Sequence, residues 1–232
     1  MISFAAPPQT AAITADGVQA YNRGDFETAF GLFGRAAQDG SAEAEAWLGS
    51  LYAAGEGVPA SLEKAFAHTL VAAEGGHSQA QTNAGAMLVM GQGVAADAAA
   101  GAAWLRRAAD QGDAYAQFNL ATLCSKGQGV PKDEAEANRW YRRAAEAGHY
   151  PSQARLGFNY AHGLGIERDR VEAFLWLSMA AQHGVGTALT ALEGLIKQMS
   201  SEEKAKGSTL VATWRGLTAE ASSLARLDPR PA

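Results

Sequence analysis

The segment 116–148 decides the fold, and its sequence is AQFNLATLCSKGQGVPKDEAEANRWYRRAAEAG. Its first part spaces small and large apolar residues three and four positions apart, which gives one buried stripe on an α-helix. Gly127 follows that stripe and favours the left-handed conformation that closes a helix. Asp133 then offers a side chain that caps a second helix, and Gly148 ends that helix. The segment therefore predicts two helices joined by a loop.

The same pattern occurs four times with a period of 36 residues. The Gly-x-Gly pairs of the loops are Gly55/Gly57, Gly91/Gly93, Gly127/Gly129 and Gly163/Gly165. The expected caps of the second helices are Ser61, Asp97, Asp133 and Asp169, and the closing glycines are Gly76, Gly112, Gly148 and Gly184. A large side chain recurs in each second helix, at His68, Trp104, Trp140 and Trp176. A fixed period of this length indicates stacked helical units, and we expect these tryptophans to pack between them.

Composition points the same way and excludes several classes of protein. Hydrophobic residues make up 47% of the 232 residues, and alanine, the best helix former, accounts for much of that share. The net charge of −5 argues against a nucleic-acid-binding surface, which is normally basic. No apolar run approaches the ~20 residues that cross a bilayer, so no membrane insertion is expected.

The repeat resembles the Sel1-like repeat, a relative of the tetratricopeptide repeat with a longer loop between its helices. The resemblance implies an all-α fold, an α/α solenoid in which antiparallel helix pairs form a right-handed superhelix. The predicted domains are a tetratricopeptide-like capping pair at 1–41, four Sel1-like repeats at 42–185, capping helices at 186–224 and a disordered tail at 225–232.

Candidate sites for chemistry are weak in this sequence. Cys124 is the single cysteine, so we expect a small buried apolar residue rather than a metal ligand or half of a disulfide. The five histidines lack zinc-ligand spacing, and His77 and His149 look like loop residues. The Gly-x-Gly elements lack the strand and fuller signature of a phosphate-binding loop, so they are interpreted as turns. We therefore expect no enzyme activity, no metal and no cofactor.

The sequence favours a binding role for the face formed by the first helices of the repeats. In both repeat families these helices line a concave surface, and residues whose type the packing does not fix are candidates for contact. The candidate groove residues are Trp47, Asn83, Tyr115, Phe118, Asn119, Arg155, Phe158 and His162. The row at 83, 119 and 155 is similar to the one with which tetratricopeptide domains hold a peptide backbone or terminal carboxylate. The structural alternative is that these asparagines form hydrogen bonds with a neighbouring helix.

The leading hypothesis is a non-catalytic adaptor that binds a peptide or protein partner in this groove. One alternative is a module that binds or hydrolyses cell-wall material, either muropeptides or β-lactams, as is associated with some cysteine-rich Sel1-like proteins. Another is a regulatory subunit of an unidentified enzyme. With one cysteine and no signal-peptide pattern at its start, the chain is expected in the cytoplasm, or in the periplasm if a leader has been removed. The partner and the oligomeric state stay open.

Overall fold

The computed structural model describes residues 8–227, and every regular element in this range is an α-helix. The helices are α1 (Pro8–Asn22), α2 (Phe26–Gln38), α3 (Ala42–Ala54), α4 (Leu62–Glu74), α5 (Ser78–Met90), α6 (Ala98–Asp110), α7 (Ala114–Lys126), α8 (Glu134–Glu146), α9 (Tyr150–His162), α10 (Arg170–Gln182), α11 (Gly186–Ile196) and α12 (Ser201–Leu227). The predicted all-α repeat solenoid is confirmed. The right-handed sense of its superhelix stays a prediction.

The chain forms two compact units, which we call unit 1 (Met1–Lys132) and unit 2 (Asp133–Ala232). In unit 1 each helix packs against the next one in sequence. In unit 2 the same holds from α8 to α11, and α12 packs against α10. The first helix of each predicted repeat is therefore α3, α5, α7 or α9, and the second is α4, α6, α8 or α10.

The predicted domain limits can be placed relative to the ends of these helices and to the boundary between the two units. The limits after 41 and 185 fall between helices, next to the starts of α3 and α11. The boundary between the two compact units falls inside the third predicted repeat, between α7 and α8. The sequence predicts a disordered tail from residue 225, whereas α12 continues to Leu227. Residues 228–232 of that tail lie outside the described residues.

Side-chain caps start the helices where the sequence predicts them. The side chains of Ser61, Asp97, Asp133 and Asp169 each accept a hydrogen bond from a backbone amide in the first turn of the following helix. Histidine 77, predicted to be a loop residue, has the same role for α5, because its Nδ1 accepts a hydrogen bond from the Ala80 amide at 3.2 Å. His149 stands at the equivalent position before α9, and its Nδ1 lies 2.8 Å from the Ser152 hydroxyl.

The two glycines of each loop have different reasons to be glycine. Gly127 closes α7 in the left-handed conformation, with φ of 69°. The second glycine brings the loop against the start of the preceding repeat's second helix. A Cβ atom at Gly57 would lie 2.6 Å from the carbonyl oxygen of Phe26 at the start of α2, so no other residue fits without displacement. The Gly-x-Gly elements are therefore turns, as predicted.

A buried glutamine joins three of the second helices, α4, α6 and α8, to the first helix that follows. The Nε2 atoms of Gln81, Gln117 and Gln153 donate to the carbonyl oxygens of Ala73, Ala109 and Ala145, each at 3.1 Å. These carbonyls lie in the last turns of α4, α6 and α8, where each also accepts a hydrogen bond from the amide of the closing glycine, at Gly76, Gly112 or Gly148. The glutamine is thus a second donor to the helix end and fixes the next helix to it.

The core is made of alanines with a few large side chains between the helices. Trp176 in α10 is 1% exposed, and its ring meets Trp214 of α12 edge-on with centroids 5.0 Å apart. Trp104 in α6 is half-buried against an alanine cluster from α4 and α5, as expected for packing between repeats. Cys124 is 1% exposed, which confirms its predicted role as a small buried residue.

Candidate partner-binding clefts

The candidate groove residues of unit 1 differ in how far they are already engaged. Trp47 is half-buried, and its ring stacks on Phe33 at 5.3 Å and tilts against Tyr21 at 5.0 Å. It therefore packs against the N-terminal helix pair, which gives it a core role besides any contact with a partner. Tyr115, at the start of α7, is 63% exposed, whereas Phe118 is half-buried one turn later.

The two asparagines of unit 1 stand at repeat-equivalent positions on α5 and α7. Asn83 is exposed, and its Oδ1 accepts a hydrogen bond from Gln79 of its own helix at 3.3 Å. Asn119 is half-buried and lines a cleft between α5 and α7. Their positions leave amide groups accessible on the first-helix side, as the groove hypothesis requires.

In unit 2 the three candidates Arg155, Phe158 and His162 lie on one exposed face of α9. The rings of Phe158 and His162 contact each other with centroids 4.1 Å apart. His162 Nδ1 lies 2.9 Å from the Phe158 carbonyl oxygen. Because a carbonyl only accepts, Nδ1 carries the hydrogen in this contact and Nε2 remains for a ligand.

Each unit has a cleft between consecutive first helices. The unit 1 cleft, of about 230 Å³, is lined by Ala86, Val89, Met90, Leu105, Asn119, Thr122, Leu123, Lys126 and Gln128. The unit 2 cleft, of about 470 Å³, is lined by Phe158, Ala161, His162, Arg168, Ala191, Gly194, Leu195 and Gln198. Three of the candidate groove residues, Asn119, Phe158 and His162, line these clefts, whereas the sequence did not predict the clefts themselves or the contribution of Arg168.

The two clefts occupy equivalent positions in the repeat, two repeats apart. Residues 86, 89, 90, 119, 122, 123 and 126 of the first correspond to 158, 161, 162, 191, 194, 195 and 198 of the second. Helix α11 therefore stands in phase with the first helices, although the sequence predicts it only as part of a cap. That phase was visible in the sequence as Leu195, two repeats after Leu123.

Size and charge distinguish what the clefts can hold. Sites for small ligands usually measure ~300–1,000 Å³, a range that includes the unit 2 cleft and excludes the unit 1 cleft. The lining of the unit 2 cleft is mostly apolar and includes the guanidinium of Arg168, whereas that of the unit 1 cleft includes the ammonium of Lys126. Within residues 8–227, no group of three or more His, Cys, Asp and Glu side chains is arranged to hold a metal ion. Each helix of this same range is too short or too polar to span a membrane.

Two titratable contacts support the units away from the clefts. In unit 1 the pKa of Tyr21 is raised above 10.0, because its hydroxyl donates a hydrogen bond to the Glu56 carboxylate, with burial and the negative charge of Glu56 adding to the effect. In unit 2 the pKa of Glu203 is lowered below 4.5, first by the hydrogen bond from the Ser200 amide and then by the Ser200 hydroxyl and Arg170.

Comparison with solved structures finds bacterial repeat proteins. A Sel1 repeat protein from Oxalobacter formigenes is 30% identical with a TM-score of 0.75, and the match covers 89% of this chain and 84% of that one. The protective antigen c5321 of uropathogenic Escherichia coli, described as displaying an SLR fold, is 27% identical with a TM-score of 0.79. This chain is covered to 91% in that match but spans only 46% of the antigen. Comparison with curated proteins gives no match.

The family model for the Sel1 repeat matches five segments, 15–41, 42–77, 78–113, 114–149 and 151–185. Four of them coincide with the repeats that the sequence predicts. The fifth covers the helix pair predicted to be a tetratricopeptide-like cap, so that pair also has Sel1 character. Together the matches span most of the chain, which belongs to the Sel1 repeat family.

Proposed function

We propose that this chain is a non-catalytic adaptor that binds a peptide or protein partner through the first-helix faces of its units. Sel1 repeat proteins generally mediate protein–protein interactions, and the family is generally non-catalytic. The observation that carries the proposal is the recurrence of a cleft between first helices, with accessible polar groups beside it. Asn119 lines the unit 1 cleft, and Arg155 lies one turn before Phe158 of the unit 2 cleft.

Chemistry supports a peptide as the ligand of these faces. The side-chain amide of Asn has a donor and an acceptor. An extended peptide presents an N–H and a C=O group at each residue, so it can pair with both. Phe158, at 36% exposure, offers apolar area of the kind that anchors interfaces. Arg155 is exposed and makes no hydrogen bond or ion pair with the residues that the structure describes.

The test is a pull-down from a lysate of the source organism, analysed by quantitative mass spectrometry. The wild-type bait is compared with a variant in which Asn83, Asn119 and Arg155 are all changed to Ala. Arg139→Ala, on the exposed face of a second helix, is the control with the same loss of charge. Circular dichroism first establishes that all three proteins fold.

We expect a protein that the wild type and Arg139→Ala retain and the triple variant loses. Equal retention by all three would move binding away from the first-helix faces and contradict the proposal. The proposed cytoplasmic location is tested separately, by fractionation of the same cells.

A further inference from the structure

We infer that the unit 2 cleft binds the C-terminal end of a peptide, holding an apolar last side chain on its floor and the terminal carboxylate at Arg168. This inference rests on the proposed adaptor function and specifies the partner for one of its surfaces. It is carried by three features of the cleft, namely its apolar floor, an uncommitted guanidinium and a fixed loop.

The floor of the cleft is apolar and concave. It is formed by Ala161 of α9 and by Ala191 and Leu195 of α11, with the Phe158 ring as one wall. The ring is held in place by its contact with His162. A volume of about 470 Å³ admits a side chain together with part of its backbone.

Arg168 supplies a guanidinium to this cleft at a position where unit 1 has Ala96, whereas the cation of the unit 1 cleft is the ammonium of Lys126, at the position equivalent to Gln198. The guanidinium of Arg168 makes no hydrogen bond or ion pair within residues 8–227. Two of the nearby carboxylates are already engaged: Asp169 caps α10, and Glu203 accepts hydrogen bonds from Ser200 and Arg170. A planar guanidinium binds a carboxylate through two parallel hydrogen bonds.

The loop that carries Arg168 is fixed from both sides. Asn138 Nδ2 donates to the Leu164 carbonyl at 2.7 Å, and Asn159 Nδ2 in turn donates to Asn138 Oδ1 at 2.7 Å. The Asp169 amide donates to the Tyr160 carbonyl at 3.1 Å. Because this backbone is already ordered, a ligand does not have to order it on binding.

A chain terminus matches the cleft better than an acidic side chain does. At the C-terminus of a peptide, the carboxylate and the last side chain are attached to the same carbon atom. An apolar floor beside one guanidinium accommodates that pair directly. Aspartate and glutamate carry their carboxylate on a short methylene stem, so they bring no large apolar group on the carbon atom that bears the carboxylate.

The test measures fluorescence anisotropy with a pool of N-terminally labelled hexapeptides that end in Leu, Val or Phe. The same pool is prepared with a free terminal carboxylate and with a terminal amide. We expect the full-length protein to bind the free acids about tenfold or more tightly than the amides, the range for a hydrogen-bonded charge. Arg168→Gln should remove this preference, and Phe158→Ala should weaken the binding of both pools.

Arg139→Gln, which removes the same charge from a second helix, should leave the preference intact. Equal affinity for acids and amides, an effect of Arg139→Gln as large as that of Arg168→Gln, or no binding of either pool would overturn the inference. In each of these cases the adaptor proposal would still be tested independently by the pull-down. A partner lost with the triple variant would then show a first-helix surface that recognises something other than a chain terminus.

Discussion

Met90 and Asn119 line the unit 1 cleft at the positions where His162 and Ala191 line the unit 2 cleft. The unit 2 cleft also receives Arg168 from its loop, and its volume is about 470 Å³ against about 230 Å³. The helices that hold the two clefts are repeat-equivalent. The difference between the units therefore includes the side chains of the walls and the end of one helix, because α7 continues to Lys126 whereas α11 ends at Ile196, before the equivalent Gln198.

The positions behind the walls show what the two scaffolds share. A Cβ atom at Gly85 would lie 2.7 Å from Leu105 Cγ, and one at the equivalent Gly157 would lie 2.8 Å from Leu177 Cγ. Both glycines let the first helix approach the second helix of its own repeat closely. Packing thus fixes one side of each first helix and leaves the opposite side free to vary, which is how repeat proteins acquire different ligands on one scaffold.

The largest expected effect concerns the tryptophans of the second helices. Trp176→Ala in unit 2 should lower the free energy of unfolding by ~3–5 kcal/mol, because its ring is almost completely buried. Trp104→Ala in unit 1 should cost roughly 2 kcal/mol, because that ring is half-exposed and lies under Arg107. Urea unfolding followed by circular dichroism measures both. Equal losses would mean that burial does not distinguish the two units as described.

The next effect tests whether the two scaffolds are equally tight. Gly85→Ala and Gly157→Ala should each cost ~1–3 kcal/mol, because the added methyl group contacts a leucine of the facing helix. Gly31→Ala is the control, since a Cβ atom there meets nothing within 4 Å. It should instead stabilise the protein by ~0.5–1 kcal/mol in thermal unfolding. A large cost in only one unit would contradict the shared scaffold.

Much of this scaffold could be predicted from the sequence, because a residue that recurs every 36 positions has the same structural reason each time. The caps at Asp97 and Asp133 and the left-handed Gly127 are local features, decided by a few neighbouring residues. The buried glutamines also recur, at 81, 117 and 153, and this signal could have been found. What it could not show is the acceptor, a carbonyl eight residues earlier on another helix.

The clefts could not be predicted in the same way. A cavity depends on the difference between large and small side chains on two helices and on a loop residue that has no periodic signal, such as Arg168. Trp47 is a candidate groove residue because it stands one repeat before Asn83 and outside the phase of the tryptophans in the second helices. The structure shows that its ring packs on Phe33, a contact outside the four predicted repeats. Irregular residues therefore indicate irregular packing as well as binding.

Substituting the cleft residues of unit 2 into the equivalent positions of unit 1 tests the comparison directly. Ala86→Phe, Met90→His and Ala96→Arg together place the unit 2 residues on the unit 1 scaffold. If the walls alone decide binding, this variant should gain a second site that prefers terminal acids to amides by about tenfold. Arg168→Gln in the same protein removes the acid preference of the original site, so that any remaining preference for acids over amides reports the transferred one. Equal affinity for acids and amides in that combined variant would mean that cleft size, and not wall chemistry, separates the units.

The smallest effects lie at opposite ends of the pH scale. The raised pKa of Tyr21 means that its contact with Glu56 stabilises unit 1 below pH 10 and is lost as pH rises through the folded-state value. The lowered pKa of Glu203 means that its contacts stabilise unit 2 above pH 4.5 and are lost as pH falls through its folded-state value. The melting temperatures of Tyr21→Phe and of wild type should therefore converge as pH rises through the raised pKa of Tyr21, and those of Glu203→Gln and of wild type should converge as pH falls through the lowered pKa of Glu203. Because Glu203 contacts Ser200 and Arg170 near the surface, salt should reduce its effect, and a difference that persists at acid pH would show that the glutamine acts through packing.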